Sequence, residues 1–181
     1  TSTGSLFGSF LPRVPSARIA IGVHPHNAKL YTREVERTLI ELAADQRVSA
    51  IGEIGLDYHW DVESHEVQKK WFRRQLDLAA DLQLPVSIHS RDAAEDTLAI
   101  LREYAKEGGP RAVLHCYSYS PELADQYIKM GYYIGIGGVV TFKNGRKLKR
   151  TAEAVPIERI LLETDCPYLA PDPFRGKRNQ S

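Results

Sequence analysis

Four residues with metal-binding side chains each follow directly on a short apolar run. The runs have the length and composition of buried β-strands, and each one is followed by a carboxylate or an imidazole. In a parallel α/β protein the carboxyl ends of the strands lie on one rim, so residues far apart in the chain can meet there. The set therefore predicts a hydrolytic metal centre. Its members are Glu53, His89, His115 and Asp165.

The chemistry expected of such a centre is hydrolysis assisted by a divalent cation. A bound cation lowers the pKa of its water from about 15.7 to about 7 and polarises the oxygen of the bond to be cleaved. Mixed imidazole and carboxylate ligands suit Zn²⁺ or Mn²⁺, whereas Mg²⁺ prefers oxygen ligands alone. We therefore expect one or two divalent ions, with a transition metal in the tighter site.

Strand and helix patterns alternate along the chain and would position these residues. Strands are predicted at 18–23, 48–54, 85–89, 111–115, 132–136 and 158–164. Helices are predicted from residue 33, at 66–82, from residue 92 to the glycines at 108–109, from residue 120 and at 146–155. Asp92, with Glu95 three residues on, resembles a capping box, and Ser120 before Pro121 is a typical helix start.

Several of the strands are unbroken apolar runs, which is expected when helices cover both faces of a parallel sheet. The fold class is therefore α/β, of the (β/α)8 TIM-barrel type with the architecture of a metal-dependent hydrolase. The 181 residues are few for a complete barrel of about 250 residues, so we expect an incomplete barrel with six strands in one domain over 1–181. Residues 1–17, rich in Ser, Gly and Pro, are expected to form an irregular lead-in.

The composition is that of an ordinary globular protein, with 43% hydrophobic residues and a net charge of +1. No apolar run reaches the roughly 20 residues of a membrane span, and no signal-peptide pattern opens the chain. Cys116 and Cys166 each follow a predicted ligand and are interpreted as small packing residues in a reducing cytoplasm. The glycines at 135–138 lack dinucleotide-fingerprint spacing, so no organic cofactor is expected.

Seven short stretches together resemble the TatD family of metal-dependent deoxyribonucleases. They are GVHPH at 22–26, IGEIGLDY at 51–58, PVSIHSR at 85–91, LHC at 114–116, GIGG at 135–138, LETDCPY at 162–168 and RGKRN at 175–179. The resemblance implies an amidohydrolase-type (β/α)8 barrel that hydrolyses DNA phosphodiesters, often as a 3′ exonuclease. It implies that Glu53 bridges two metals or ligates one and that His89 and His115 complete one site. Asp165 would bind the other metal or deprotonate the attacking water.

One departure from the family pattern concerns the second metal. The family begins with a strand ending in a His-x-His pair, whereas the HPH at 24–26 matches a later family segment at the third barrel strand. The resemblance therefore implies that the first two βα units and the helix after 178–179 are missing, which puts the second metal site in doubt. Six strands would leave two open edges, through which the chain could oligomerise.

The expected substrate is DNA, single-stranded or at its 3′ ends, held by basic residues near the rim. Guanidinium and ammonium groups clamp phosphates. In this hypothesis a metal-bound hydroxide attacks phosphorus, and Glu53 and Asp165 act as the catalytic carboxylates. His26, His59 and His65 are expected on the surface or in loops. The predicted substrate-binding residues are His24, Arg91, Arg175, Lys177 and Arg178.

Two alternatives stay open at this point. The same metal barrel could cleave another ester or amide bond, because one fold hosts many chemistries. The chain could also be an inactive, truncated part of a barrel that binds a partner or nothing in particular.

Overall fold

The computed structural model describes residues 14, 16–60 and 62–180, so the predicted lead-in at 1–17 lies almost wholly outside the described residues. Within them, six β-strands alternate with five α-helices. The strands are β1 (Ile19–Ile21), β2 (Val48–Asp57), β3 (Val86–Arg91), β4 (Ala112–Leu114), β5 (Tyr133–Ile136) and β6 (Ile160–Leu162). The helices are α1 (Arg33–Ala43), α2 (His65–Asp81), α3 (Ala94–Lys106), α4 (Pro121–Lys129) and α5 (Arg146–Ala154).

All six strands are parallel and lie in the order in which they occur in the chain. Sequential parallel strands joined by helices are the arrangement of a (β/α) barrel, so the predicted fold is confirmed for six strands. β1 and β6 are the edges of this sheet. The register pairs Gly55 with His89 and Ile136 with Leu162, which brings the carboxyl ends of the strands to one rim.

Helix starts follow the capping chemistry of the sequence, with one exception. The hydroxyls of Thr32, Ser64 and Ser120 each accept a hydrogen bond from a backbone N–H in the first turn of α1, α2 and α4. The predicted cap at Asp92 is wrong, because α3 starts after Ala93 and has no side-chain cap. An oxygen of the Asp92 carboxylate instead lies 2.9 Å from Nδ1 of His59, in the loop after β2. The carboxylate thus pairs with this imidazole and not with the backbone of α3.

The core lies between the central strands and the helices that cover them. Ile51, Ile54 and Leu56 of β2 are fully buried, and Leu76 of α2 and Leu101 of α3 pack with them in one cluster. β2 and β3 therefore form the most rigid part of the sheet, and they carry two of the predicted ligands.

Two glutamines of α2 hold the ends of the first two strands. Gln75 accepts a hydrogen bond from the backbone N–H of Val23 at 2.7 Å and donates to its carbonyl at 3.0 Å. Gln68 does the same for Asp57, at 2.8 and 2.9 Å. Both side chains are buried. The backbone N–H and C=O groups of Val23 and Asp57 thus form with α2 the hydrogen bonds that a neighbouring strand would otherwise provide.

Gly55 permits the close approach of β2 to β3 beside His89. Its φ is +140°, and a Cβ atom at this position would overlap the carbonyl oxygen of His89. A residue with a side chain would have to push the two strands apart.

No helix in the described part of the chain is both long enough and apolar enough to cross a membrane.

Candidate metal centre

Three side chains form a compact group of metal-binding atoms: one follows β1, one lies within β2 and one lies within β3. His24, Glu53 and His89 each offer one ligand atom, and these atoms all lie within 4.8 Å of one another. All three side chains are half-buried. Two imidazoles and a carboxylate form the donor set of a catalytic transition-metal site with an open position. The residues therefore fit a divalent cation.

The protonation of His24 agrees with this fit. Burial, assisted by the neighbouring His89, lowers the pKa of His24 to about 4. The imidazole is therefore neutral at neutral pH, which is the form that ligates a metal. Sequence analysis placed His24 among the substrate contacts, whereas the geometry places its ring with Glu53 and His89.

His89 lies between two carboxylates. Its Nδ1 is 2.9 Å from Oε1 of Glu53, and its Nε2 is 2.9 Å from Oδ2 of Asp57. Burial lowers the pKa of His89, but the hydrogen bonds to Glu53 and Asp57 outweigh burial and raise it. For Glu53, burial raises the pKa, but the contact with His89 and the charges of His115 and His24 together lower it. Both shifts favour the charged form of the group concerned.

Asp57 links this group to the adjoining loop. Its side chain is only 1% exposed, and its Oδ2 also lies 2.9 Å from Nε2 of His26. Its Oδ1 accepts the backbone N–H of His59 at 3.0 Å. His26, expected on the surface or in a loop, thus has its ring directed at a buried carboxylate, while His59 is exposed and His65 stacks on the ring of Tyr58. Asp57 can hold the His89 ring in place, as the outer partners of metal ligands do.

A second group follows β4 and β6. Nδ1 of His115 is 2.7 Å from Oε2 of Glu163, and its Nε2 is 3.8 Å from Oδ1 of Asp165. The hydrogen bond to Glu163 raises the pKa of His115 to about 9. Burial raises the pKa of Asp165. The charge of Glu53 acts on both His115 and Asp165, so the two groups adjoin.

The four residues predicted as ligands therefore lie in two adjoining groups. Glu53 and His89 belong to the compact group with His24, and His115 and Asp165 belong to the second. Their roles as ligands and catalytic groups stay predictions.

From the sequence, Asp57 could either shape the site or simply end its strand, and Glu163 was missed altogether, although a signal was present for each. Residues two or four apart on a strand share a face. Asp57 is four residues from Glu53, and Glu163 is two residues from Asp165. Gly135 provides the space for Glu163, because a Cβ atom there would lie 2.6 Å from its carboxylate.

The predicted substrate residues other than His24 are exposed around the rim. Arg91 lies two residues beyond His89, with its guanidinium 5.6 Å from the ring centroid of Trp60. Arg175 lies over Phe142 at 4.2 Å and Lys177 over Phe174 at 5.7 Å.

The cysteines are not part of the reactive set. Neither Cys116 nor Cys166 forms a disulfide. Burial raises the pKa of Cys116 to about 12, so it stays protonated and is no nucleophile at neutral pH.

A parallel sheet in sequential order, with imidazoles and carboxylates toward its carboxyl ends, is the architecture of a (β/α)-barrel metal-dependent hydrolase. The chain belongs to the TatD-related DNase family, whose sequence model matches residues 11–181. Among solved structures, it is similar to YjjV, a TatD homologue from Escherichia coli K12, with a TM-score of 0.84 and 29% identity over 97% of this chain and 66% of that one.

Two curated relatives give further context. The chain is 48% identical over 163 residues to an uncharacterized metal-dependent hydrolase, YabD, of Bacillus subtilis strain 168, covering 89% of this chain and 63% of YabD. It is 41% identical over 151 residues to the 3′-5′ ssDNA/RNA exonuclease TatD of Escherichia coli K12, covering 83% of this chain and 58% of that protein. The chain therefore spans about three fifths of the length of these relatives.

Proposed function

We propose that this chain provides the metal centre of a hydrolase that cleaves DNA phosphodiester bonds from a 3′ end of single-stranded DNA. The observation that supports it most is the convergence of ligand atoms of His24, Glu53 and His89 within 4.8 Å of one another, from three neighbouring strand segments. Membership of the TatD-related DNase family supports the reaction class. The name of the E. coli relative, a 3′-5′ ssDNA/RNA exonuclease, supports cleavage of single-stranded nucleic acid from a 3′ end, and the description of the family supports DNA.

The residues of the site would have two roles: some would ligate the cation, and others would orient the ligands or accept a proton. His24, Glu53 and His89 would hold one divalent ion, and His115 with Asp165 would hold a second or serve the attacking water. A bound cation supplies Lewis-acid polarisation and lowers the pKa of water. Asp57 fixes the ring of His89, and Glu163 fixes the ring of His115.

Asp165 is the carboxylate best placed to take a proton from the attacking water. Its side chain is 41% exposed, unlike the buried Asp57, and it adjoins both His115 and the charge of Glu53. The exposed cations Arg91, Arg175, Lys177 and Arg178 would neutralise the substrate phosphates and hold the scissile bond.

Metal analysis together with digestion of 3′-labelled single-stranded DNA tests this proposal. We expect bound metal and chelator-sensitive cleavage in the unmodified chain, with both lost in Glu53→Gln and His89→Ala. Cleavage should fall by at least about 100-fold, since even outer partners of metal ligands cost 10–100-fold. His65→Ala is the matched control, because His65 is exposed and stacks on Tyr58 outside both groups.

Two results would contradict the proposal. If both Glu53→Gln and His89→Ala retained the metal, these residues would not be its ligands. Absence of DNA cleavage with any divalent metal, alongside turnover of a small carboxylic ester, would favour the alternative of another bond on the same barrel.

A further inference from the structure

We infer that a basic surface beside the metal centre binds the sugar–phosphate backbone of single-stranded nucleic acid and leads it to the site. The inference rests on the proposed function and extends it to the polymer beyond the scissile bond. Five of the eight residues at 143–150 and three of the four at 175–178 are Lys or Arg. These eight cations form the basic surface: Lys143, Arg146, Lys147, Lys149, Arg150, Arg175, Lys177 and Arg178.

The charges of the basic surface are available to a ligand. All eight residues are exposed. Among the described residues, none of them forms an ion pair with a carboxylate, whereas lysines and arginines elsewhere do. Arg150 and Lys147 act on the carboxylate of Glu122 at a distance: hydrogen bonds at the start of α4 lower its pKa first, and the two cations lower it further. The basic surface thus concentrates positive charge in a chain whose net charge is only +1.

The two basic segments form one surface because they contact each other. A guanidinium nitrogen of Arg175 donates to Oδ1 of Asn144 at 3.5 Å, and the same guanidinium lies 4.2 Å from the ring centroid of Phe142. The backbone N–H of Asp172 donates to the hydroxyl of Thr141 at 2.8 Å. The loop after β6 is thus joined to the segment that leads into α5.

This surface lies on the rim that carries the ligands. The segment before α5 follows the carboxyl end of β5, and the loop at 175–178 follows Asp165 at the end of β6. Lys147 lies 5.9 Å from the ring centroid of Tyr119, which follows β4. The hydroxyl of Tyr119 is in turn 3.1 Å from that of Ser90, the residue after His89. Contacts therefore run from the basic surface to β3, the strand that carries His89.

The start of α5 is electrostatically unfavourable without an anion. Its first turn has no acidic residue, its N-cap is Gly145 without a side-chain bond, and it opens with Arg146 and Lys147. The N-terminus of a helix carries about half a positive charge, so cations there cost stability and anions restore it. Phosphate groups of a polymer would supply that charge at several positions together.

Fluorescence anisotropy with a 5′-fluorescein single-stranded oligonucleotide, measured in excess EDTA, tests binding without hydrolysis. We compare Arg146→Gln/Lys147→Gln with the control Lys106→Gln/Arg111→Gln, which removes two exposed cations at the opposite ends of the strands. The first pair should weaken binding about tenfold and reduce the slope of log K against log salt by about 1.4, since each single-strand contact contributes about 0.7. The control should bind as the unmodified chain does, and Arg146→Lys/Lys147→Arg should restore affinity.

Circular dichroism and the urea midpoint verify that each variant folds. The inference would be overturned if Arg146→Gln/Lys147→Gln had the same salt slope as the unmodified chain. It would also be overturned if this variant and the control Lys106→Gln/Arg111→Gln lost equal affinity for the oligonucleotide. Binding to phosphatidylserine vesicles but not to the oligonucleotide would assign the surface to a membrane and overturn it too. Because EDTA removes catalysis, a chain that binds DNA but never cleaves it would refute the proposed function and leave this inference standing.

Discussion

The carboxylate of Glu163 lies 2.7 Å from Nδ1 of His115 and raises the pKa of that histidine to about 9. The folded-state value therefore lies above the ordinary value of 6.5. The stability that protonation contributes is complete below about pH 6.5 and is lost as the pH rises through about 9. A cation that binds His115 near neutral pH must displace this proton, so its binding should release protons.

Substitution of Glu163 tests this relationship. In metal-free Glu163→Gln, the pKa of His115 should fall toward 6.5, because the amide keeps the shape of the side chain but not its charge. Titration of the imidazole resonances by NMR measures the shift. Glu158→Gln, at an exposed residue before β6, should leave the value near 9. An unchanged pKa in Glu163→Gln would show that another group holds the proton.

Gly135→Ala should disturb the same pair without unfolding the chain. The added Cβ would lie 2.6 Å from the Glu163 carboxylate, which is the movable tip of a flexible side chain. We expect a cost of about 1–2 kcal/mol in the free energy of unfolding and a lower pKa of His115. Gly137→Ala is the matched control, because its Cβ would meet Glu163 atoms no nearer than 3.6 Å. Similar His115 titrations in the two variants would contradict this expectation.

Gly55→Ala should be far more damaging, because its Cβ would overlap the backbone carbonyl oxygen of His89, which cannot move aside alone. We expect a loss of about 3 kcal/mol or more in urea unfolding, or no folded protein. Gly108→Ala separates backbone strain from collision, since its φ is +73° and a Cβ there meets nothing within 4 Å. That variant should cost only about 1 kcal/mol. If Gly55→Ala and Gly108→Ala lowered the free energy of unfolding equally, backbone strain and not the close contact between β2 and β3 would explain why residue 55 is glycine.

Glu36 should contribute an acid-dependent part of the stability. Two hydrogen bonds from Arg74 of α2, at 2.7 and 2.6 Å, lower the pKa of this α1 carboxyl below its ordinary 4.5, and Tyr31 adds a third. The contribution is complete above about pH 4.5 and is lost as the pH falls through the lower folded-state value. Glu36→Gln should therefore cost about 0.5–1 kcal/mol at neutral pH and less in acid, by urea unfolding at several pH values. Glu41→Gln, exposed on the same helix, should retain the full acid dependence.

The strand order and the rim were predictable because they depend on local signals. Apolar runs followed by Glu53, His89 and His115 are visible in the sequence, and a parallel sheet allows only one rim for their ends. The true bounds differ modestly: β2 continues to Asp57, three residues beyond the prediction, because Gln68 provides partners for its last residue.

The grouping of the ligands was not predictable from spacing alone. His24 joins Glu53 and His89 in one group, whereas the order of the strands does not state which side chains on neighbouring strands converge. Asp92 illustrates the opposite error, since its local pattern favours a cap and a distant His59 takes the oxygen. Local chemistry predicts which residues carry function, and tertiary neighbours decide which of them act together.

Gln68 and Gln75 are seven residues apart on α2, a separation of about 10 Å along the helix axis. The Gln75 amide binds the backbone of Val23, next to His24, and the Gln68 amide binds the backbone of Asp57. Helix α2 therefore fixes the position of the segment after β1 relative to the end of β2. A displacement of α2 would move Val23, which precedes His24, together with Asp57, which contacts His89. The relative position of these two imidazoles therefore depends on one helix.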